Sequence, residues 1–167
     1  MTITRLPGSP TIFLHSLYST FLWIRGNVTA KHDVTIMSLS QWVRENLGWE
    51  NSSVHAARFI GATFLTMTSR QTLHLSEWAL NWFAIEDDTI RAELLYEYLD
   101  DRIFFFGDIL ELLHTPKNSN DLLDKVISMY PNVKWHTPGL LSSRLDWLMA
   151  CGKVHKLKSV ILFVTDR

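Results

Sequence analysis

The chain has 167 residues, 47% of them hydrophobic and 20% charged, with a net charge of −1. That length holds one ordinary domain or two small ones, with enough apolar content for a real core. A single cysteine, Cys151, excludes an internal disulfide framework and fits a reducing cytoplasm, and no apolar run reaches the ~20 residues that cross a bilayer.

The nearest approach to a membrane segment, TIFLHSLYSTFLWI (11–24), carries His15, Ser16, Ser19 and Thr20 and is followed by Arg25. It is too short and polar to span, and it lacks the small-residue cleavage site of a signal peptide. The expected location is therefore cytoplasmic, with no membrane contact. Charge is uneven along the chain: residues 1–70 carry +3, residues 71–111 carry −8 and residues 112–167 carry +4. A dedicated nucleic-acid binder usually shows a strong basic surplus, whereas here two mildly basic ends flank an acidic middle.

A turn-rich start, RLPGSP (5–10), leads into a helix expected over Ile12–Arg25, with Gly26-Asn27 as its stop. Ile36, Leu39, Trp42, Val43 and Leu47 recur at helical spacing, so a second helix is expected at about Ser38–Leu47, stopped by Gly48. NSSVHAARFIGATFL (51–65) gives a third, with Asn51 or Ser52 as N-cap. TMTSRQTLHLSE (66–77) reads as two short strands around a Thr-Ser-Arg-Gln turn. Ser76 then caps a helix over 76–85. Residues 90–115 are helical with a break near Asp100-Asp101 or Gly107, and Pro116 and Asn118 mark the end. A helix over 119–131, a loop over 132–139, a helix over 140–151 ending at Gly152 and a hairpin over 153–166 complete the chain.

Laid together, the halves repeat: helices followed by a hairpin. Arg58 and Arg144 sit near the start of each third helix, and the final strands LHLSE (73–77) and LFVTD (162–166) match in kind. Three helices with a terminal hairpin form the winged-helix pattern. The expected fold is mainly α with short β-hairpins (α+β), a tandem winged-helix, with a first unit over 1–85 and a second over 86–167. The apolar IFFF run (103–106) is expected between the halves.

No motif for catalysis is present: no Gly-x-Gly-x-x-Gly, phosphate-loop lysine or Gly-x-Ser-x-Gly. His15, His32, His55, His74, His114, His136 and His155 lack metal-ligand spacing, so no metal and no cofactor are expected. The acids of EDD (86–88) and DD (100–101) have no accompanying nuclease lysine and suit helix starts, where the macrodipole favours them.

The basic features carry the functional reading. Ser52, His55 and Arg58 lie on the first third helix, with Arg70 in its wing. Their equivalents are Ser142, Ser143 and Arg144, with Lys153, His155, Lys156 and Lys158 in the second wing. Hydroxyls and arginines near a helix start reach phosphates or base edges, and wing lysines suit phosphates. The plainer alternative is an internally paired Arg144 and a solvated hairpin edge. Trp78 and Trp82, four apart, share a helix face that serves either the core or a protein partner.

In element order the chain resembles the tandem winged-helix accessory subunits of SMC-type DNA-translocating complexes. LDWLMACGKV (145–154) with its following hairpin also resembles the C-terminus of the small middle components of bacterial ABC-ATPase defence systems. The winged-helix modules of restriction enzymes are similar too. These resemblances imply a non-enzymatic subunit that binds double-stranded DNA and a larger ATPase or effector subunit. A stand-alone winged-helix regulator or a restriction-enzyme recognition module is the alternative.

Overall fold

Thirteen helices and strands build a mainly helical chain with small antiparallel sheets in the computed structural model, which describes residues 13–49, 53–131, 138–158 and 160–163. The RLPGSP turn, Ser52, most of the 132–139 loop and the last strand residues after Phe163 fall outside that set. Leu14–Arg91 forms one compact unit and Ala92–Arg167 belongs to the other. The division falls inside α5 (Asp88–Asp100), whereas the expected 85/86 boundary lies in the turn before it.

In the first unit, α1 runs Phe13–Thr29 and does not stop at Gly26. Asn27 Nδ2 and Thr29 Oγ1 donate back to the carbonyls of Trp23 and Arg25, so the polar residues that suggested a break hold the helix instead. Termination comes later, where Lys31 turns to a positive φ of 60° and His32 N donates to Asn27 O. Thr35 caps α2 (Ile36–Leu47) in a reciprocal box with Ser38, and Gly48, at φ 67°, ends it. Helix α3 (Ser53–Phe64) packs on α2, with Gly61 seated against Ile36; a Cβ there would lie 2.9 Å from the Ile36 Cδ1.

Strands β1 (Leu65–Met67) and β2 (Leu73–Leu75) pair antiparallel. Leu73 N also donates to Val34 O at 2.7 Å, which places the residue before the α2 cap on the far side of β2. Ser76 then caps α4 (Glu77–Phe83). The core is aromatic: Phe21 lies edge-on to Phe64 and Trp82, and Trp78 stacks on Phe64 at 5.5 Å. Such rings add favourable edge and offset contacts to the burial of their area.

Asp87 opens α5 by accepting from the backbone N–H groups of Ile90 and Thr89, which hold its carboxyl below the usual carboxylate range. In the second unit the expected long helix is interrupted across both suspected sites. Residues 101–107 are irregular, and α6 (Asp108–Leu112) is short. Asp100 Oδ1 accepts from Gly107 N at 2.7 Å and ties the two ends of the interruption together. Ile103, Phe105 and Phe106 are buried, and Phe104 and Phe105 both meet Tyr130.

The stretch read as a helix end contains a short strand, β3 (Lys117–Asn118). Asn118 also caps α7 (Ser119–Met129) through the N–H groups of Asn120 and Asp121. Helix α8 (Pro138–Ala150) ends at Gly152, φ 72°, and strands β4 (Val154–Leu157) and β5 (Val160–Phe163) follow. The sheet order is β3-β5-β4. The two units thus repeat one connectivity: a strand-like residue or strand, an N-cap, two helices, and a hairpin whose second arm returns beside the first segment. Among the described residues no helix is long and apolar enough to cross a membrane.

Candidate nucleic-acid interface

In the first unit the burial pattern of α3 sorts its residues by role. Ala56, Ala57, Phe59, Ile60 and Phe64 face the core. Val54, His55, Arg58 and Ala62 face out. No acid occurs anywhere on the helix. Ser53, beside the outlying Ser52, is buried and accepts from Ser40 Oγ at 3.3 Å, so it joins α3 to α2.

The turn between β1 and β2 is built by one side chain. Thr68 Oγ1 lies 2.6 Å from Thr72 Oγ1 and accepts from the backbone N–H groups of Arg70 and Thr72. Gln71 takes φ 61°, and Thr68 N donates to Thr72 O to close the loop. Arg70 projects from this pinned turn into solvent. Among the described residues, the guanidinium groups of Arg58 and Arg70 take part in no hydrogen bond or ion pair. Two arginines on a helix face and its adjoining turn, with no acid between them in either element, form a surface suited to phosphate.

The second unit treats its matching residues differently. Ser142 is exposed on α8, but Ser143 is buried and donates to Leu140 O. Arg144 is fully buried: its Nε donates to Phe104 O at 3.1 Å and its Nη1 to Leu140 O at 2.9 Å. Burial lowers it to about 10, so it stays cationic at neutral pH. Its role is to fasten the irregular 101–107 segment onto α8, and the expected contact of Arg144 with nucleic acid is corrected on that ground.

Lys153 is also withdrawn from the wing surface. Its side chain is 8% exposed, its Nζ sits 2.6 Å from Glu93 Oε2, and it lies 4.8 Å above the Tyr96 ring. That pairing joins the start of the hairpin to α5. Burial, joined by the negative charges of Asp100 and Glu93, pushes Tyr96 up to about 12, and burial pushes Cys151 up to about 12 as well. Neither ionises at neutral pH, so Cys151 is an inert buried thiol.

His155, Lys156 and Lys158 remain exposed, Lys158 at φ 56° in the turn. On α8 Ser142 is exposed, and Asp146 and Met149 are half-buried.

Trp78 and Trp82 share a face and stack at 6.0 Å, yet they are not equivalent. Trp82 is 1% exposed and donates from Nε1 to Arg91 O at 2.8 Å, which makes it a core residue and corrects its assignment to a docking surface. Trp78 is half-buried over Phe64. Sequence reasoning also missed Arg91, whose guanidinium lies 4.4 Å over Tyr18 and 2.9 Å from Asp88. Its only signal was a lone arginine in an acidic run.

Among the described residues no three His, Cys, Asp or Glu side chains gather in a metal-binding cluster. No protein-family model, curated protein or solved structure matches the chain.

Proposed function

We propose that the chain is a non-enzymatic, cytoplasmic tandem winged-helix protein. It binds duplex DNA through the first unit and joins a larger protein assembly, of the kind built around an SMC- or ABC-type ATPase in bacterial defence. The connectivity common to both units supports the fold reading. In the second unit the order β3-β5-β4 encloses the α7–α8 pair between the first and second strands of the sequence. In the first, the Leu73–Val34 bond puts the same three segments in the same order. A helix pair followed by a hairpin is the arrangement that offers the second helix of the pair to the major groove and the hairpin to the flanking backbone.

The observation that carries the functional reading is the outward face of α3 with its turn: His55, Arg58 and Arg70, with no acid in either element. Helix α3 is the second helix of its pair, which supports reading these side chains as contacts to base edges and phosphates. A net charge of −1 for the whole chain limits non-specific attraction. Modest DNA affinity, raised by a partner that holds the chain near DNA, follows from that balance.

Fluorescence anisotropy with a random-sequence duplex tests this. Micromolar binding is expected at low salt, with log K falling against log [salt] at a slope near −2, about −0.9 for each phosphate met by Arg58 and Arg70. Absence of binding at low salt contradicts the DNA assignment. Nanomolar binding of one defined duplex by the isolated chain moves the reading to a stand-alone regulator.

A further inference from the structure

The second unit contains a cleft of about 140 Å³ between the start of α7, helix α8 and the strands β4 and β5. Its walls are mainly apolar, contributed by Leu123, Leu145, Met149 and Ile161. A dry cavity of about 150 Å³ admits a benzene ring, so this cleft has room for one apolar side chain of leucine, methionine or phenylalanine size. Two charged groups line it as well: Asp146 from α8 and Lys156 from β4.

These two charges are unequal. Asp146 is half-buried, and burial raises its carboxyl above the ordinary range while Lys156 pulls it down. Among the described residues no hydrogen bond or ion pair engages that carboxylate. Lys156 is exposed on the hairpin, where solvent and salt screen its field. Lys156 offsets only part of the cost of half-burying this carboxylate, which makes no hydrogen bond or ion pair among the described residues, so the cleft favours a second positive group beside Asp146 and disfavours phosphate.

We infer that this cleft is a docking site for a segment of the partner protein that inserts an apolar side chain between Leu145 and Ile161 and sets a lysine or arginine against Asp146. The inference rests on the proposed role as a subunit of a larger assembly and gives the partner's contact a chemistry: an apolar anchor beside a basic residue. It also divides the labour between the two helix pairs. The α3 face serves DNA, and the α8 face, with an acid at its centre, serves protein.

Selection of a displayed library of random 12-residue peptides on the full chain tests the inference. Enriched peptides are expected to pair an apolar residue with Lys or Arg a few positions away. Their affinity, read by anisotropy, is expected to fall at least tenfold in Asp146→Asn. Selection on Asp146→Lys is expected to enrich Asp or Glu in place of the basic residue. Absence of an enriched motif, an acidic motif on the native chain, or affinity unchanged in Asp146→Asn would overturn it. So would displacement of the peptides by duplex DNA, because the face would then belong to nucleic acid. The Arg58→Glu/Arg70→Glu variant keeps the two readings separable. Peptide binding retained there, in the absence of any DNA binding by the native chain, leaves the cleft standing and removes only the DNA half.

Discussion

Helices α3 and α8 occupy the same place in one connectivity, and both carry an arginine near the middle, yet the two arginines have opposite fates. Arg58 is exposed on a helix without acids, whereas Arg144 is fully buried on a helix whose one acid, Asp146, is half-buried. The cause lies outside both helices. The second unit has an irregular segment, 101–107, whose carbonyl at Phe104 needs a donor, and Arg144 provides it. In the first unit Arg58 serves no such carbonyl among the described residues. A similar order of elements therefore does not imply equal chemistry, because a long cation is held inside wherever buried backbone polar groups require it.

Unfolding in urea breaks this comparison most sharply. Arg144→Met is expected to cost about 2–4 kcal/mol, because the Phe104 carbonyl loses its guanidinium donor and the Leu140 carbonyl keeps Ser143 but loses Arg144. Arg58→Met is expected to change stability by less than about 0.5 kcal/mol, as surface substitutions do. Comparable losses in both variants would show that the arginines are structurally equivalent after all.

DNA affinity sharpens it next. Arg58→Glu/Arg70→Glu is expected to weaken duplex binding tenfold or more, about 1.4 kcal/mol. Lys156→Glu/Lys158→Glu is expected to weaken it severalfold at most, since the negative charge of Asp146 lies beside Lys156. Lys153 is left out of that variant because its change would break the contact with Glu93. The reverse ranking, measured by anisotropy at one fixed salt concentration, would assign DNA to the second wing.

A smaller effect follows from Asp146 itself. Its raised carboxyl pKa means that the folded state holds the proton more tightly than the unfolded chain. The resulting penalty is present above the folded pKa and disappears as pH falls through it towards the ordinary 3.8. Asp146→Asn is therefore expected to raise the midpoint of thermal unfolding slightly at neutral pH, with the gain fading in acid. A gain that persists at low pH would point to an effect other than charge burial.

Much of this was legible in the sequence where the signal is local. Gly48 at a left-handed helix end, Ser76 as a cap and Thr68–Gln71 as a turn are fixed by residues a few positions apart. β3 was not legible, because a two-residue strand has no period to read. Gly26 misled because the back-bonding of Asn27 and Thr29 outweighs one glycine in a seventeen-residue helix.

Site residues were harder to place. The Phe104 carbonyl that Arg144 serves is forty residues away in sequence and the Glu93 partner of Lys153 is sixty, so the contacts that bury these side chains cannot be read nearby. Trp78 and Trp82 share a helical face, and the Arg91 carbonyl, which comes from the next helix, engages Trp82, the core tryptophan of the two. The charge of α8 was read from its arginine, which is buried, while its aspartate is half-exposed.

Hydrogen exchange of the full chain with and without saturating duplex DNA tests the central claim most directly. The expected result is new protection over α3 (53–64) and the turn 68–72, with α8 and the 154–161 hairpin unchanged. Protection confined to α8 and that hairpin, with α3 unaffected, would contradict it.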